Sequence, residues 1–230
     1  MREERFLIVN ADDLGLSTGV NAGIAEAHER GIVTSASLMV RQSAAEDGAR
    51  CAARHPGLAI GLHIDLGQWD YEGGEWRAAY ERCPPDDEAA LEAECRAQLE
   101  AFRQLLGRDP THLDSHQHVH MNEPVASLAT RMAAELGVPL RAAGHVRFEG
   151  GFYGQSGEGA AHPEWIAVER LIGLIESLPS GWTELGCHPG RNAEELSSYG
   201  IEREAEIETL CDPRVRAAIE SQAIELRSFG

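Results

Sequence analysis

Two carboxylates stand side by side in Asn10-Ala11-Asp12-Asp13-Leu14-Gly15, directly after the apolar run Phe6-Leu7-Ile8-Val9. On an extended chain neighbouring side chains point to opposite sides. One carboxylate can then hold a metal ion while the other takes a proton. The same residue types also form turns, so a purely conformational role stands beside the chemical one. His63 lies inside a second apolar run, Gly61-Leu62-His63-Ile64-Asp65-Leu66. A histidine there is either a hydrogen-bonded core residue or a ligand. Asp65, two residues on, falls on the same side of a strand and is the expected partner that orients the imidazole.

The strongest chemical signal is His112-Leu113-Asp114-Ser115-His116-Gln117-His118-Val119-His120. In a strand, period two places His112, Asp114, His116, His118 and His120 on one face. So many imidazoles make a poor core wall, because each needs a polar partner when buried; a surface histidine stripe is the alternative. A strand rises about 3.3 Å per residue, so four histidines cannot all reach one ion. One or two are expected to bind metal and the rest to touch substrate or neighbours. His188 in Cys187-His188-Pro189-Gly190 follows another apolar run and suits a general acid. Nothing near Cys187 marks a low-pKa thiolate, so it is read as a core residue. Arg141 follows Val138-Pro139-Leu140 and suits either a partner that keeps a catalytic carboxylate ionised or an ordinary salt bridge.

These residues need elements to hold them. Strands are expected at 6–9, 32–40, 58–66, 111–120, 138–142, 182–187 and 223–227. Helices are expected from about Val20 to Arg30, capped by Ser17 or Thr18 and closed by Gly31, and at 43–54, 86–106, 123–136, 163–178 and 202–220. Over 86–106 the apolar positions Leu91, Cys95, Leu99, Phe102 and Leu106 step by three and four, as a one-sided helix requires. The stretch after Leu66, with Gly67, Gly73 and Gly74 among Trp69, Tyr71 and Trp76, reads as a loop, as does 144–160. Strands separated by helices of this length argue for parallel β/α units. The chemically interesting residues follow strands, where parallel α/β folds assemble sites. The expected fold is α/β, an irregular TIM-barrel-like (β/α) barrel of parallel strands with outer helices, one domain over 1–230.

Composition narrows the function classes. The chain of 230 residues has a formal charge of -18, from 38 acidic and 20 basic residues. Such a surface repels phosphate backbones and anionic membranes, which argues against nucleic-acid and membrane partners. The acidic stretches 86–99 and 202–212 read as solvated helix faces. Five cysteines without a C-x-x-C spacing argue against a disulfide framework or a thiolate zinc knuckle. With no stretch long enough for a signal-peptide core or a membrane span, the cytoplasm is the expected location.

The segments NADDLG, GIVTSASLMV, GLHIDL, THLDSHQHVHM, PLRA, FYG and CHPG occur in this order over nearly the whole chain. Together they resemble the YdjC-like carbohydrate deacetylases, a family with chitooligosaccharide deacetylases and a hopanoid-biosynthesis branch. The resemblance implies a divergent (β/α) barrel, related in logic to the NodB-type polysaccharide deacetylases. It implies Asp13, His63 and His116 as ligands of one divalent ion, Asp12 as general base helped by Arg141, and His188 as general acid. Magnesium is the ion the resemblance suggests, whereas imidazole ligands favour zinc. The expected reaction removes the acetyl group from an N-acetylated saccharide and releases acetate. His118, His120, Tyr153 and Trp69 are expected to contact the substrate, and a homodimer is expected. The connection between Leu66 and Pro84 departs from the chitooligosaccharide branch, being shorter and carrying the three aromatics. The rival readings are a metal-dependent phosphoesterase, which needs clustered ions and a basic pocket, and a non-catalytic sugar- or metal-binding protein.

Overall fold

The structure, a computed structural model, describes residues 4–192 and 199–230. The apolar run after Arg5 forms a long central strand, β1 (Arg5–Leu14). The other strands are β2 (Ser35–Leu38), β3 (Ala59–Ile64), β4 (Gly67–Glu72), β5 (Glu75–Glu81), β6 (Leu113–Ser115), β7 (Val146–Glu149), β8 (Gly181–Cys187) and β9 (Ile224–Arg227). The main sheet has the order β6-β3-β2-β1-β8-β7 and curls into a half-barrel. Every pairing in it is parallel, and β9 adds to the lower half of β1.

Seven helices cover this sheet: α1 (Thr18–Glu29), α2 (Ala45–Arg54), α3 (Glu88–Leu106), α4 (Val125–Leu136), α5 (Val168–Ser177), α6 (Ile201–Leu210) and α7 (Pro213–Ser221), counted among the described residues. Ser17 caps α1 as expected, its hydroxyl accepting from the Val20 N–H. Leu91, Cys95, Leu99 and Phe102 of α3 are all buried. One apolar cluster joins them to Val9, Ile60, Leu62 and Leu113 of the sheet. No helix among the described residues is long and apolar enough to cross a membrane.

The structure departs from the sequence expectations in five places. The stretch after Leu66 is not a loop but an antiparallel β4–β5 hairpin. Gly73 and Gly74 form its turn with φ of 62° and 89°, the pair of positive values a two-residue hairpin turn demands. The strand expected at 111–120 stops at Ser115, and His116–Met121 forms a 3-10 turn. The strand expected at 138–142 reduces to a single bridge between Leu113 and Leu140. A strand, β7, lies instead inside the segment read as loop-like. The expected helix 163–178 breaks into a 3-10 turn, Pro163–Ile166, followed by α5.

Candidate active site

The upper ends of the parallel strands converge. Asn10, Asp12 and Asp13 come from β1, Ser37 from β2, His63 from β3, Asp114 from β6, Glu184 from β8, and His188 follows β8. Asp12 and Asp13 are both buried. They do not point to opposite sides as an extended chain would have them. Asp13 has φ 68°, a left-handed conformation that costs a non-glycine residue energy and breaks the strand alternation.

Asp13, His63 and His116 each place one ligand-capable atom within 4.8 Å of the others. Asp13 Oδ1 stands 3.4 Å from His63 Nε2 and 3.1 Å from His116 Nδ1. Each imidazole is held from behind. Asp114 Oδ1 engages His63 Nδ1 at 2.8 Å, and Gln68 Oε1 engages His116 Nε2 at 2.5 Å. Burial opposes charge on His63, but Asp114 and Asp13 outweigh it and hold its pKa well above the ordinary value. Burial likewise opposes the Asp13 carboxylate, and Arg203 and His116 hold its pKa well down. A second trio, Asp12, His63 and Asp114, is equally close. Arg141 already occupies it, 2.6 Å from Asp12 and 2.8 Å from Asp114.

The partner that orients His63 is thus Asp114, not Asp65. Asp65 binds Gln42, Tyr80 and Arg82 instead and anchors the β4–β5 hairpin. Arg141 grips Asp12 with two donors, NH1 to Oδ2 and NH2 to Oδ1, both at 2.6 Å, and its Nε reaches Glu184 at 2.8 Å. Burial pushes Asp12 up, yet Arg141 outweighs burial and keeps its pKa below the usual carboxylate value. His188 Nε2 lies 3.7 Å from Asp12 Oδ2. Burial pushes His188 down to about 4, so it is neutral at pH 7.

The row of alternating histidines does not share a face. Gln117 and His118 both have positive φ, 49° and 54°, which turns the chain sharply after His116. His116 and His118 line the cavity. His112 packs away from it, with its ring 4.1 Å from that of Phe229. His120 is buried 2.6 Å from the Ser115 hydroxyl and does not line the cavity, so the substrate contact expected of it has no place there. Burial pushes His112 and His120 down to about 4, so both are neutral packing residues at pH 7.

The cavity above these residues measures about 680 Å³, a size suited to a small ligand. The hairpin contributes Trp69, Tyr71 and Trp76 to one wall, and Phe148, Phe152 and Tyr153 line it as well. Gln117 clamps the hairpin in place, accepting from the Trp69 N–H at 3.0 Å and donating to the Trp69 carbonyl at 2.7 Å. Cys187 lies below, buried, its thiol pushed well up by burial, which fits a core residue.

Sequence reasoning missed Arg203, Glu206 and Glu184. The stretch 202–212 was expected to be a solvated face, yet Arg203 and Glu206 are buried. Glu184 had a usable signal, a lone acid inside the apolar strand Trp182-Thr183-Glu184-Leu185. Glu206 accepts from the Tyr199 hydroxyl and from the His188 N–H. Burial raises its pKa from 4.5 to about 8, against those two donors. Between these values the folded chain keeps a proton that the unfolded chain has released, so this residue lowers stability as pH rises. Glutamine mimics the protonated acid: its oxygen keeps the bond from the His188 N–H, and its NH2 group donates toward the Tyr199 oxygen. A Glu206→Gln protein should match the wild type near pH 5 and gain on it up to pH 8, reaching an advantage of order 3 kcal/mol in urea unfolding. A constant difference across that range contradicts the assignment.

The chain is 35% identical over 247 residues to a carbohydrate deacetylase from Geobacillus stearothermophilus, covering 98% of this chain and 97% of that protein. It is 32% identical over 255 residues to a chitooligosaccharide deacetylase from Klebsiella pneumoniae strain 342, covering 98% of each. A crystal structure from Enterococcus faecalis V583, provisionally described as a cellobiose-phosphate cleavage protein, superimposes with a TM-score of 0.82. It is 26% identical, with 98% of each chain covered. The sequence model of the YdjC-like proteins matches residues 6–221, a span that includes every strand end from which the site is built, and the chain belongs to that family.

Proposed function

We propose that this chain is a metal-dependent carbohydrate deacetylase, which hydrolyses the N-acetyl amide of a sugar or oligosaccharide to acetate and an amino sugar. The observation that carries the reading is the trio Asp13, His63 and His116, the first two buried and the third half-buried, at the floor of an aromatic-walled cavity, beside Asp12 and His188. The relatives named carbohydrate and chitooligosaccharide deacetylase support the substrate class.

Asp13, His63 and His116 would hold one divalent ion, which when bound would supply a Lewis acid for the amide carbonyl and for water. Two imidazoles and one carboxylate suit zinc or another transition ion better than magnesium. Asp12, kept ionised by Arg141, accepts the proton of the attacking water at Oδ2. His188, neutral at rest and 3.7 Å away, takes that proton at Nε2 and delivers it to the departing nitrogen. The balance closes: the C–N bond breaks, water adds to the acyl carbon, and its proton ends on the amine. Trp69 and Tyr153 offer ring faces to the sugar, and His118 offers a polar contact beside them.

A phosphoesterase fits less well. Among the described residues lining the cavity the only arginine is Arg203, and it is already paired to Asp13 at 2.6 Å. Acetate release from N-acetylated mono-, di- and oligosaccharides tests the proposal. Wild-type protein should release acetate from at least one class, lose the activity on chelation and regain it with a divalent ion. Phosphate release from sugar phosphates with no acetate from any saccharide would overturn it.

A further inference from the structure

The two oxygens of Asp13 face different partners. Oδ1 looks toward His116 Nδ1 at 3.1 Å and His63 Nε2 at 3.4 Å. Oδ2 accepts a hydrogen bond from Arg203 NH2 at 2.6 Å. Arg203 is 2% exposed and fixed at several points. Its Nε donates to the Tyr199 carbonyl at 2.9 Å, and its NH1 donates to the His188 carbonyl at 3.4 Å. Its own carbonyl accepts from the Gly190 N–H at 3.2 Å. A Cβ added at Gly190 would meet the Arg203 Cδ at 3.1 Å, so the chain after His188 lies close against this side chain. The guanidinium is thus held between α6 and the end of β8, against Asp13.

We infer that Arg203 is a positioning residue that makes Asp13 a one-oxygen ligand. The inference rests on the metal-dependent reading above and goes beyond it. A carboxylate free at both oxygens can close on a cation with both. With Oδ2 taken by a buried guanidinium, only Oδ1 is presented on the histidine side. One oxygen and two ring nitrogens leave positions open for water and for the amide oxygen. The same guanidinium competes with the ion for the carboxylate's charge, so it weakens ion binding while keeping those positions open. Asp12 and Asp13, adjacent in sequence, therefore each have a buried arginine, and the two arginines set different duties.

Cobalt(II) titration followed by visible absorption tests this, using wild type, Arg203→Met and Arg203→Lys. In Arg203→Met the second carboxylate oxygen joins the ion and raises its coordination number, so the cobalt bands weaken. The cobalt dissociation constant falls, by roughly threefold to tenfold. Turnover of the cobalt enzyme falls roughly 10- to 100-fold, with KM changed less than about threefold. Arg203→Lys, which returns a cation beside Oδ2, recovers part of the band intensity. A merely structural arginine predicts weaker cobalt binding with an unchanged spectrum, and that result overturns the inference. Should the Met protein fail to fold, the infrared difference spectrum of wild type on cobalt binding decides. One-oxygen ligation widens the gap between the two carboxylate stretches, and a narrowed gap contradicts the inference. If wild type takes up no cobalt, or Asp13→Ala takes it up equally well, the metal reading itself falls. If cobalt binds through Asp13 and both variants keep the wild-type spectrum, the role of Arg203 alone falls.

Discussion

An Asp13→Ala protein is expected to lose divalent-ion binding and, with it, acetate release by about a thousandfold or more. Three features of the residue set this size. Asp13 is buried, its Oδ1 stands within 3.4 Å of both histidines, and it is the only carboxylate of the trio. Alanine leaves two imidazoles and no anion. It also leaves the Arg203 cation facing the trio with its carboxylate partner gone, which further repels a metal ion. The fold should survive, because His63 keeps Asp114 and His116 keeps Gln68. Metal content by mass spectrometry and acetate release should therefore fall together while the circular dichroism spectrum stays unchanged. Retention of both bound ion and activity would remove Asp13 from the ligand set.

The largest stability effect is expected at Arg141. Its guanidinium serves three buried carboxylates, Asp12, Asp114 and Glu184, all within 2.8 Å. Arg141→Met keeps the length of the side chain but leaves these acids without their cation. Breaking a buried ion pair by removing one partner costs about 3 to 5 kcal/mol. Glu184, raised by burial to about 7 against the pull of Arg141, absorbs part of the loss by taking a proton. For a chain of this length the melting temperature should drop by about 10 °C. Arg141→Lys should recover little, since one ammonium cannot reproduce the bidentate grip on Asp12 together with the Nε bond to Glu184. The loss should also grow as pH rises above 7, where Glu184 ionises beside Arg141 in wild type but must keep its proton in the variant. A drop under 2 °C in the Met variant would show that the network carries no net stability.

Much of the site was legible because its residues sit at the ends of apolar runs. Asp12-Asp13, His63 and His188 follow or end strands that the period and composition reveal, and these strands lie in one parallel sheet. The long α3 was legible from its spacing of apolar residues, and α1 from its serine cap. What failed was local backbone geometry. The alternating histidines suggested a strand face, but two consecutive left-handed residues, Gln117 and His118, turn the chain out of the sheet. Propensity does not foresee that, since tertiary contacts with the hairpin hold it. The hairpin itself was missed although Gly73-Gly74 between aromatic alternations is a recognised turn signal. Long-range partners were the other blind spot. Nothing near Arg203 in sequence says that it meets Asp13, and its acidic neighbours made the helix look solvated. Asp65 seemed the partner of His63 by spacing. The strand pairing places Asp114 opposite His63, and only the sheet register reveals that.

The most direct test of the account places Asp12→Asn beside Asp13→Ala and measures, in each, the bound metal per chain and the rate of acetate release from an N-acetylated saccharide that wild type cleaves. The account divides adjacent carboxylates into a proton acceptor and a metal ligand. It predicts that Asp12→Asn keeps one ion per chain while losing acetate release, and that Asp13→Ala loses both. Loss of the ion in Asp12→Asn, with the ion retained in Asp13→Ala, would contradict that division and exchange the two roles.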